Sequence, residues 1–305
     1  MASVRRGEIR IIVWQVLSFW FAWLQTASIG ATSLASGGEA LIVKPSWVFA
    51  QQKQQSPIVL VDVRAAADYL SAHADQAVNL PSALSFNDGK HQTRVAPIAK
   101  VARLLSRLGL KNGDSIVLYD NGRLKDAAHV FWMLKVYGHQ QVYVLEGGLP
   151  AWKQQGGGVS HKPFSLPASQ YVPTLISNFL ATKLATRLAV GNPHVSLIDS
   201  RNAGEFTGNT SQGPRAGHIP GAINIPASTN LATHDGLEEL LPVAELRRLY
   251  QQIDPADKVI TYCNRGKDSA LSFLILMSLG YDVSVYDGAW PEWSAETGLP
   301  IAPKE

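Results

Sequence analysis

Short apolar runs of strand length alternate along this chain with longer apolar stretches of helical length. Ile58-Val59-Leu60-Val61, Ile116-Val117-Leu118-Tyr119, Ser196-Leu197-Ile198, Val259-Ile260-Thr261-Tyr262 and Val283-Ser284-Val285-Tyr286 are rich in β-branched and aromatic residues and read as strands. Ala270 to Leu279 reads as a helix closed by Gly280, and the stretch near Ala127 to Tyr137 as another closed by Gly138, each glycine standing where a left-handed C-terminal cap is needed. Strands this continuously apolar are buried on both faces, so the pattern predicts an α/β fold whose mainly parallel sheets are flanked by helices.

The pattern occurs twice. Ile58-Val59-Leu60-Val61-Asp62-Val63-Arg64 followed by Ala72-His73-Ala74 and Asn79-Leu80-Pro81 matches Val195-Ser196-Leu197-Ile198-Asp199-Ser200-Arg201 followed by Gly217-His218-Ile219 and Asn224-Ile225-Pro226. Farther on, Ile116-Val117-Leu118-Tyr119-Asp120 matches Val259-Ile260-Thr261-Tyr262-Cys263, and Gly147-Gly148-Leu149-Pro150-Ala151-Trp152 matches Gly288-Ala289-Trp290-Pro291-Glu292-Trp293. The offset of about 140 residues is that of a duplicated domain and not of a solenoid repeat. The expected organisation is a leader over residues 1–35, a first domain over 40–153, a glycine- and proline-bearing linker over 154–170 and a second domain over 171–303.

The leader reading rests on Arg5, Arg6 and Arg10, then an apolar stretch from Ile11 to Leu24 broken only by Gln15 and Ser18, then small residues through Ala35. The stretch falls short of the roughly 20 residues of a spanning helix. Export, to a periplasm, with cleavage near Ala35 is the expectation, and retention of residues 11–24 as an anchor is the alternative. A composition of 46% hydrophobic and 17% charged residues suits packed cores. The net charge of +3 gives no reason to expect a nucleic-acid partner.

The single cysteine excludes an internal disulfide framework and needs an account of its own. One account is a buried small hydrophobe. The other comes from its neighbours: Cys263 ends a strand, and Asn264-Arg265-Gly266-Lys267-Asp268-Ser269 lead from it into a helix. A helix start offers main-chain N–H groups and a positive dipole end, Arg265 and Lys267 add charge, and Gly266 allows the sharp turn, so the thiol is expected to ionise easily. The first copy has Asp120-Asn121-Gly122-Arg123-Leu124-Lys125-Asp126 at this place and no cysteine. No second cysteine or spaced histidine pair accompanies Cys263, so neither a metal nor another cofactor is expected.

These segments resemble the tandem-domain rhodaneses, the thiosulfate and 3-mercaptopyruvate sulfurtransferases, over roughly residues 40–303. The resemblance rests on Asp199-Ser200-Arg201, the Gly217–Pro226 segment, Tyr262-Cys263 with its six-residue loop, and Asp287-Gly288-Ala289-Trp290-Pro291-Glu292-Trp293. It implies that Cys263 takes the outer sulfur of a donor such as thiosulfate, releases sulfite, and passes the sulfur from a persulfide to cyanide or a thiol. It further implies that Asn264, Arg265, Gly266, Lys267, Asp268, Ser269 and Arg201 bind the substrate. A basic residue at position 265 tilts the donor toward thiosulfate over 3-mercaptopyruvate. Two features depart from the pattern: Asp268, for which Arg201 or Lys267 is the expected partner, and Glu205, which stands where many relatives have a substrate-binding arginine. His218 and the Asp199–Arg201 turn read as structural. Trp152 and Trp293 read as core or domain-interface residues, and Trp290 as a candidate for the pocket mouth. Two rival functions are a persulfide carrier with little free turnover and a cysteine phosphatase, the latter disfavoured because Ser269 stands where its oxyanion-gripping arginine belongs.

Overall fold

The computed structural model describes residues 40–88, 93–234 and 237–302; the expected leader over residues 1–35 lies outside them. Two five-stranded sheets, all parallel within themselves, form the two copies. The first consists of β1 (Ile42–Val43), β2 (Ile58–Asp62), β3 (Val78–Asn79), β4 (Ser115–Tyr119) and β5 (Val142–Leu145), in the spatial order β1-β5-β4-β2-β3. The second consists of β6 (Leu180–Ala181), β7 (Val195–Asp199), β8 (Ile223–Asn224), β9 (Lys258–Tyr262) and β10 (Asp282–Tyr286), in the matching order β6-β10-β9-β7-β8. The α/β fold with helix-flanked parallel sheets is as the apolar runs predicted.

Both expected helices form and start earlier than their apolar stretches suggest, at Lys125–Val136 and Lys267–Leu279. Their polar openings are helical because Leu124 and Gly266, both left-handed, turn the chain into the first helical turn. Gly280, at a φ of 94°, closes the second helix. Nearly every residue of both helices is buried, since they pack against each other as well as on their own sheets. A helix that is apolar all round has nowhere else to go. One continuous core therefore spans the copies, with Phe131 and Phe273 meeting at a centroid distance of 6.4 Å, while separate cores built on Trp152 and on Trp293 fill the outer faces.

The segment after the first copy is held, not slack. Val159–Ser160 pairs antiparallel with His73–Ala74. Ser169, Thr174 and Ile176 donate main-chain hydrogen bonds to Ser106, Tyr137 and Val136, so the chain hugs the first copy as far as Ile176. Among the described residues no helix is long and apolar enough to cross a membrane.

Candidate active site

Strand β9 ends at Tyr262, and Cys263 is the first residue beyond it. Trp290 N–H donates to the Cys263 carbonyl at 2.8 Å, which ties the strand end to the turn after β10. The chain then reverses through Gly266, whose φ of 88° no larger residue adopts without strain, and whose N–H donates to Cys263 Sγ at 3.1 Å. Ser269 Oγ lies 3.3 Å from Sγ and also donates to the Gly266 carbonyl. The sulfur thus sits at the opening of a helix of which it is not itself a member, faced by main-chain donors.

Electrostatically the site differs from the expectation. Cys263 is 1% exposed, and burial raises its thiol pKa above the ordinary value, with the carboxylate of Asp268 adding to the rise. The Ser269 hydroxyl and the main-chain N–H groups of Ser269 and Arg265 pull the other way without reversing it. The expected help from two cationic side chains fails for geometric reasons. Arg265 extends into solvent. Lys267 forms an ion pair with Asp126 of the first copy.

Asp268 is likewise committed elsewhere: its partner is Lys125, at 2.6 Å, and neither Arg201 nor Lys267. Lys125-Asp126 and Lys267-Asp268 open corresponding helices, so the two crossed pairs relate the copies by an approximate two-fold symmetry. The same symmetry joins Val95 N–H to Asp287 at 2.8 Å and Leu240 N–H to Glu146 at 3.2 Å, each acid following the last long strand of its copy. Burial raises the pKa of both acids, Asp287 to about 6.

Arg201 occupies a structural post. Its guanidinium grips Asp199 through Nε and Nη2 and the Gly217 carbonyl through Nη2, with both partners of the ion pair fully buried. Arg64 and Asp62 repeat the arrangement in the first copy, which has no nucleophile. Trp290 is fully buried with its ring 4.3 Å from the Arg201 guanidinium carbon, so it is core and not the mouth of a pocket. His218 stacks on Phe206 and hydrogen-bonds its carbonyl, as His73 does with Tyr69. Both histidines are structural.

Asn264 and Glu205 come together as the sequence alone did not foresee. Asn264 Nδ2 donates to Glu205 Oε1 at 2.6 Å and Asn202 Nδ2 to Oε2 at 2.7 Å, fixing the residue next to the nucleophile. The first copy has an amide and a carboxylate at the matching positions, Asn121 and the shorter Asp68, yet both are exposed. His129, from the first copy, is the other residue missed: a Cβ on Gly266 would lie 3.2 Å from His129 Nε2. Its counterpart on the second helix is Leu271, so the repeat gave no signal for it. A cavity of about 540 Å³ beside Trp152 and Gly156–Gly158 lies on the outer face of the first copy, away from this loop. Among the described residues no cluster of potential metal ligands occurs.

The rhodanese-like domain family matches residues 45–155 and 180–296. A thiosulfate sulfurtransferase of Corynebacterium glutamicum is 30% identical over 275 residues, covering 85% of this chain and 89% of its own. One of Gallus gallus is 32% identical over 70% of this chain and 78% of its own. The crystal structure of the 3-mercaptopyruvate sulfotransferase SseA from Escherichia coli superposes with a TM-score of 0.73 at 25% identity, over 82% of this chain and 98% of that one.

Proposed function

The chain belongs to the rhodanese family by both of its domains, and on that premise we propose that it is a sulfurtransferase that carries sulfur from thiosulfate, or a similar donor, to cyanide or a thiol. The observation that carries the reading is the placement of its one cysteine: Sγ lies at the strand end with the Gly266 N–H directed at it. As the thiol ionises, it attacks the outer sulfur of thiosulfate; the sulfur–sulfur bond of the donor breaks, and sulfite departs with the electron pair. A nucleophile then takes the outer sulfur from the persulfide, returning Cys263. Main-chain donors fixed before the reaction stabilise negative charge as it develops on sulfur. In this reading Arg265 meets the sulfonate end of the donor, supported by its exposure on the same loop without an ion pair among the described residues.

Exposing the purified protein to thiosulfate adds one sulfur atom to Cys263, seen by mass spectrometry, and cyanide then releases thiocyanate. Cys263→Ser loses both by at least about 10³-fold. Because burial raises the thiol pKa, the loading rate climbs with pH through the neutral range, roughly tenfold per unit, as the thiolate fraction grows. Undiminished turnover by Cys263→Ser is incompatible with this nucleophile, and a rate already flat at pH 7 contradicts the raised thiol pKa. Sulfur addition with almost no thiocyanate release identifies a carrier instead.

Export to the periplasm belongs to the same proposal, supported by the order of basic, apolar and small residues over positions 1–35. Fractionation of the producing cell checks it, and a full-length protein confined to the cytoplasm refutes it.

A further inference from the structure

Ala289, the first residue of the helix Ala289–Ala295, has a φ of 56° and is 1% exposed. A left-handed alanine is uncommon and strained, and such a residue persists only where its surroundings hold it. Its counterpart is Gly148, the first residue of Gly148–Gln154, which has a φ of 53° and no Cβ to strain. Each residue precedes the N–H that ties the neighbouring loop: Leu149 donates to the Asp120 carbonyl at 3.0 Å, and Trp290 to the Cys263 carbonyl at 2.8 Å. The second copy therefore keeps the left-handed backbone and adds a methyl group to it.

The first copy shows what such a methyl would strike. A Cβ on Gly148 would lie 2.4 Å from the Asp120 carbonyl oxygen and 2.6 Å from the Gly122 nitrogen, both inside the 3.0 Å that real Cβ atoms keep. The Gly122 N–H comes so near because it closes on the Asp120 carboxylate, at 2.8 Å. Arg265 stands in the place of Gly122. A second loop folded like the first would drive the Arg265 nitrogen into the Ala289 methyl. The structure avoids the collision on both sides. Gly288 takes a φ of −71° where Gly147 takes 67°. Among the described residues the main-chain hydrogen bond to Sγ, at 3.1 Å, comes from Gly266, three residues past the cysteine, while Arg265 N–H bears on the sulfur without that bond.

Resting on the sulfurtransferase reading above, we propose that Ala289 is a positioning residue of the catalytic site, its methyl a wedge that keeps the Cys263 loop from closing on the sulfur as the first loop closes on Asp120. An anion gripped by several amides is stabilised and slow to react. A thiolate with fewer donors is more basic and, as an attacking group, more nucleophilic. The wedge thus favours the reactivity of the thiolate over its abundance. A thiol pKa held above the ordinary value agrees with this. The strained backbone, which the first copy fills with glycine, persists in the second because the methyl it carries has this use.

The test is Ala289→Gly in the full chain, a variant that folds readily because glycine adopts this backbone without strain and the first copy already has it. Alkylation by iodoacetamide across pH locates the ionisation of the thiol, and single-turnover loading from thiosulfate, followed by mass spectrometry, gives the rate of attack. Closure of the loop is expected to move the alkylation midpoint to lower pH and to raise the thiolate fraction at pH 7 about tenfold. Because nucleophilicity follows basicity with a coefficient of about 0.5, loading falls about threefold where the thiol is fully ionised and rises about threefold near pH 7, so the profiles of variant and wild type cross. Unchanged profiles overturn the proposal and assign the set of the loop to its length, since Cys263 stands four residues before Lys267 and Asp120 five before Lys125. A uniform fall in loading at every pH, with the alkylation midpoint unmoved, overturns it as well. A wild-type protein that alkylates at Cys263 yet takes no sulfur from thiosulfate refutes the sulfurtransferase reading, and the two alkylation profiles still decide the wedge.

Discussion

The loop after β4 and the loop after β9 are the same device holding different atoms. In the first copy the Asp120 carboxylate accepts from the N–H groups of Gly122 at 2.8 Å, Leu124 at 3.2 Å and Ala127 at 3.4 Å. In the second, Cys263 Sγ accepts from Gly266 at 3.1 Å. The Asp120 carbonyl is tied by Leu149 N–H as the Cys263 carbonyl is by Trp290 N–H. For both side chains burial raises the pKa while main-chain amides lower it. The fold therefore supplies an anion cradle whichever residue stands in it. Chemistry is added by a thiol in one copy, whereas a carboxylate in the other fills its own cradle and closes it. What is particular to the reactive copy lies around the cradle: Asn264 held by Glu205, and His129 packed against Gly266 from across the interface.

Truncating both cradle residues to alanine separates structure from chemistry, and the largest effect on stability falls on the copy with no reaction. Asp120→Ala strands three buried donors and is expected to cost about 3 kcal/mol. Cys263→Ala strands one donor and leaves a cavity no larger than a sulfur atom, a cost of about 1 kcal/mol. Urea denaturation of the two variants reads the difference. Equal losses mean that the first cradle is not the structural staple its hydrogen bonds suggest.

The parts of this comparison that were legible in the sequence are those that the repeat doubled. Strands, the two helices closed by Gly138 and Gly280, and Cys263 opposite Asp120 all follow from local pattern and alignment of the copies. Gly266 and Ser269 lie against the sulfur, as so short a loop dictates, while their role and that of Asn264 in binding substrate belong to the proposal. Partners across the interface were not legible, because charge on a loop says nothing about what faces it. Lys267 was read as support for the thiolate and Asp268 as a partner of Arg201 or Lys267, yet Asp126 and Lys125 take them. The recurrence of Lys-Asp at both helix starts was the available clue. Thiol acidity was misjudged for a related reason: burial depends on the first copy closing over the loop, and a motif does not encode its own desolvation.

A second, smaller effect tests the symmetry of the interface through its buried acids. Asp287 has its pKa raised by burial from 3.8 to about 6, so the folded state binds its proton more tightly than the unfolded chain does. The associated stability is complete below the unfolded pKa and is lost as pH rises through about 6. Asp287→Asn keeps an acceptor for Val95 N–H without the charge. It should match the wild type near pH 4 and exceed it near pH 7 by on the order of 2 kcal/mol. Glu146→Gln should move in the same direction, since burial raises that pKa too. Parallel stability curves for wild type and Asp287→Asn between pH 4 and 7 contradict this account of the interface.

The smallest effects belong to the crossed ion pairs, and there the symmetry should break. Each pair is about one-third exposed, which limits a surface pair to a fraction of 1 kcal/mol and leaves it open to screening by salt. Asp126, however, also accepts from Ser82 Oγ at 2.6 Å, whereas among the described residues Asp268 has only Lys125 as a charged partner. A carboxylate already held in place loses less side-chain entropy when it meets its lysine. Double-mutant cycles in alanine should therefore give about 0.8 kcal/mol for Lys267 with Asp126 and about 0.3 kcal/mol for Lys125 with Asp268, both fading near 1 M salt. The reverse order implies that Ser82 competes with Lys267 for the carboxylate instead of supporting it, and the first copy's polar hold on the Cys263 loop would then fall chiefly to Lys125.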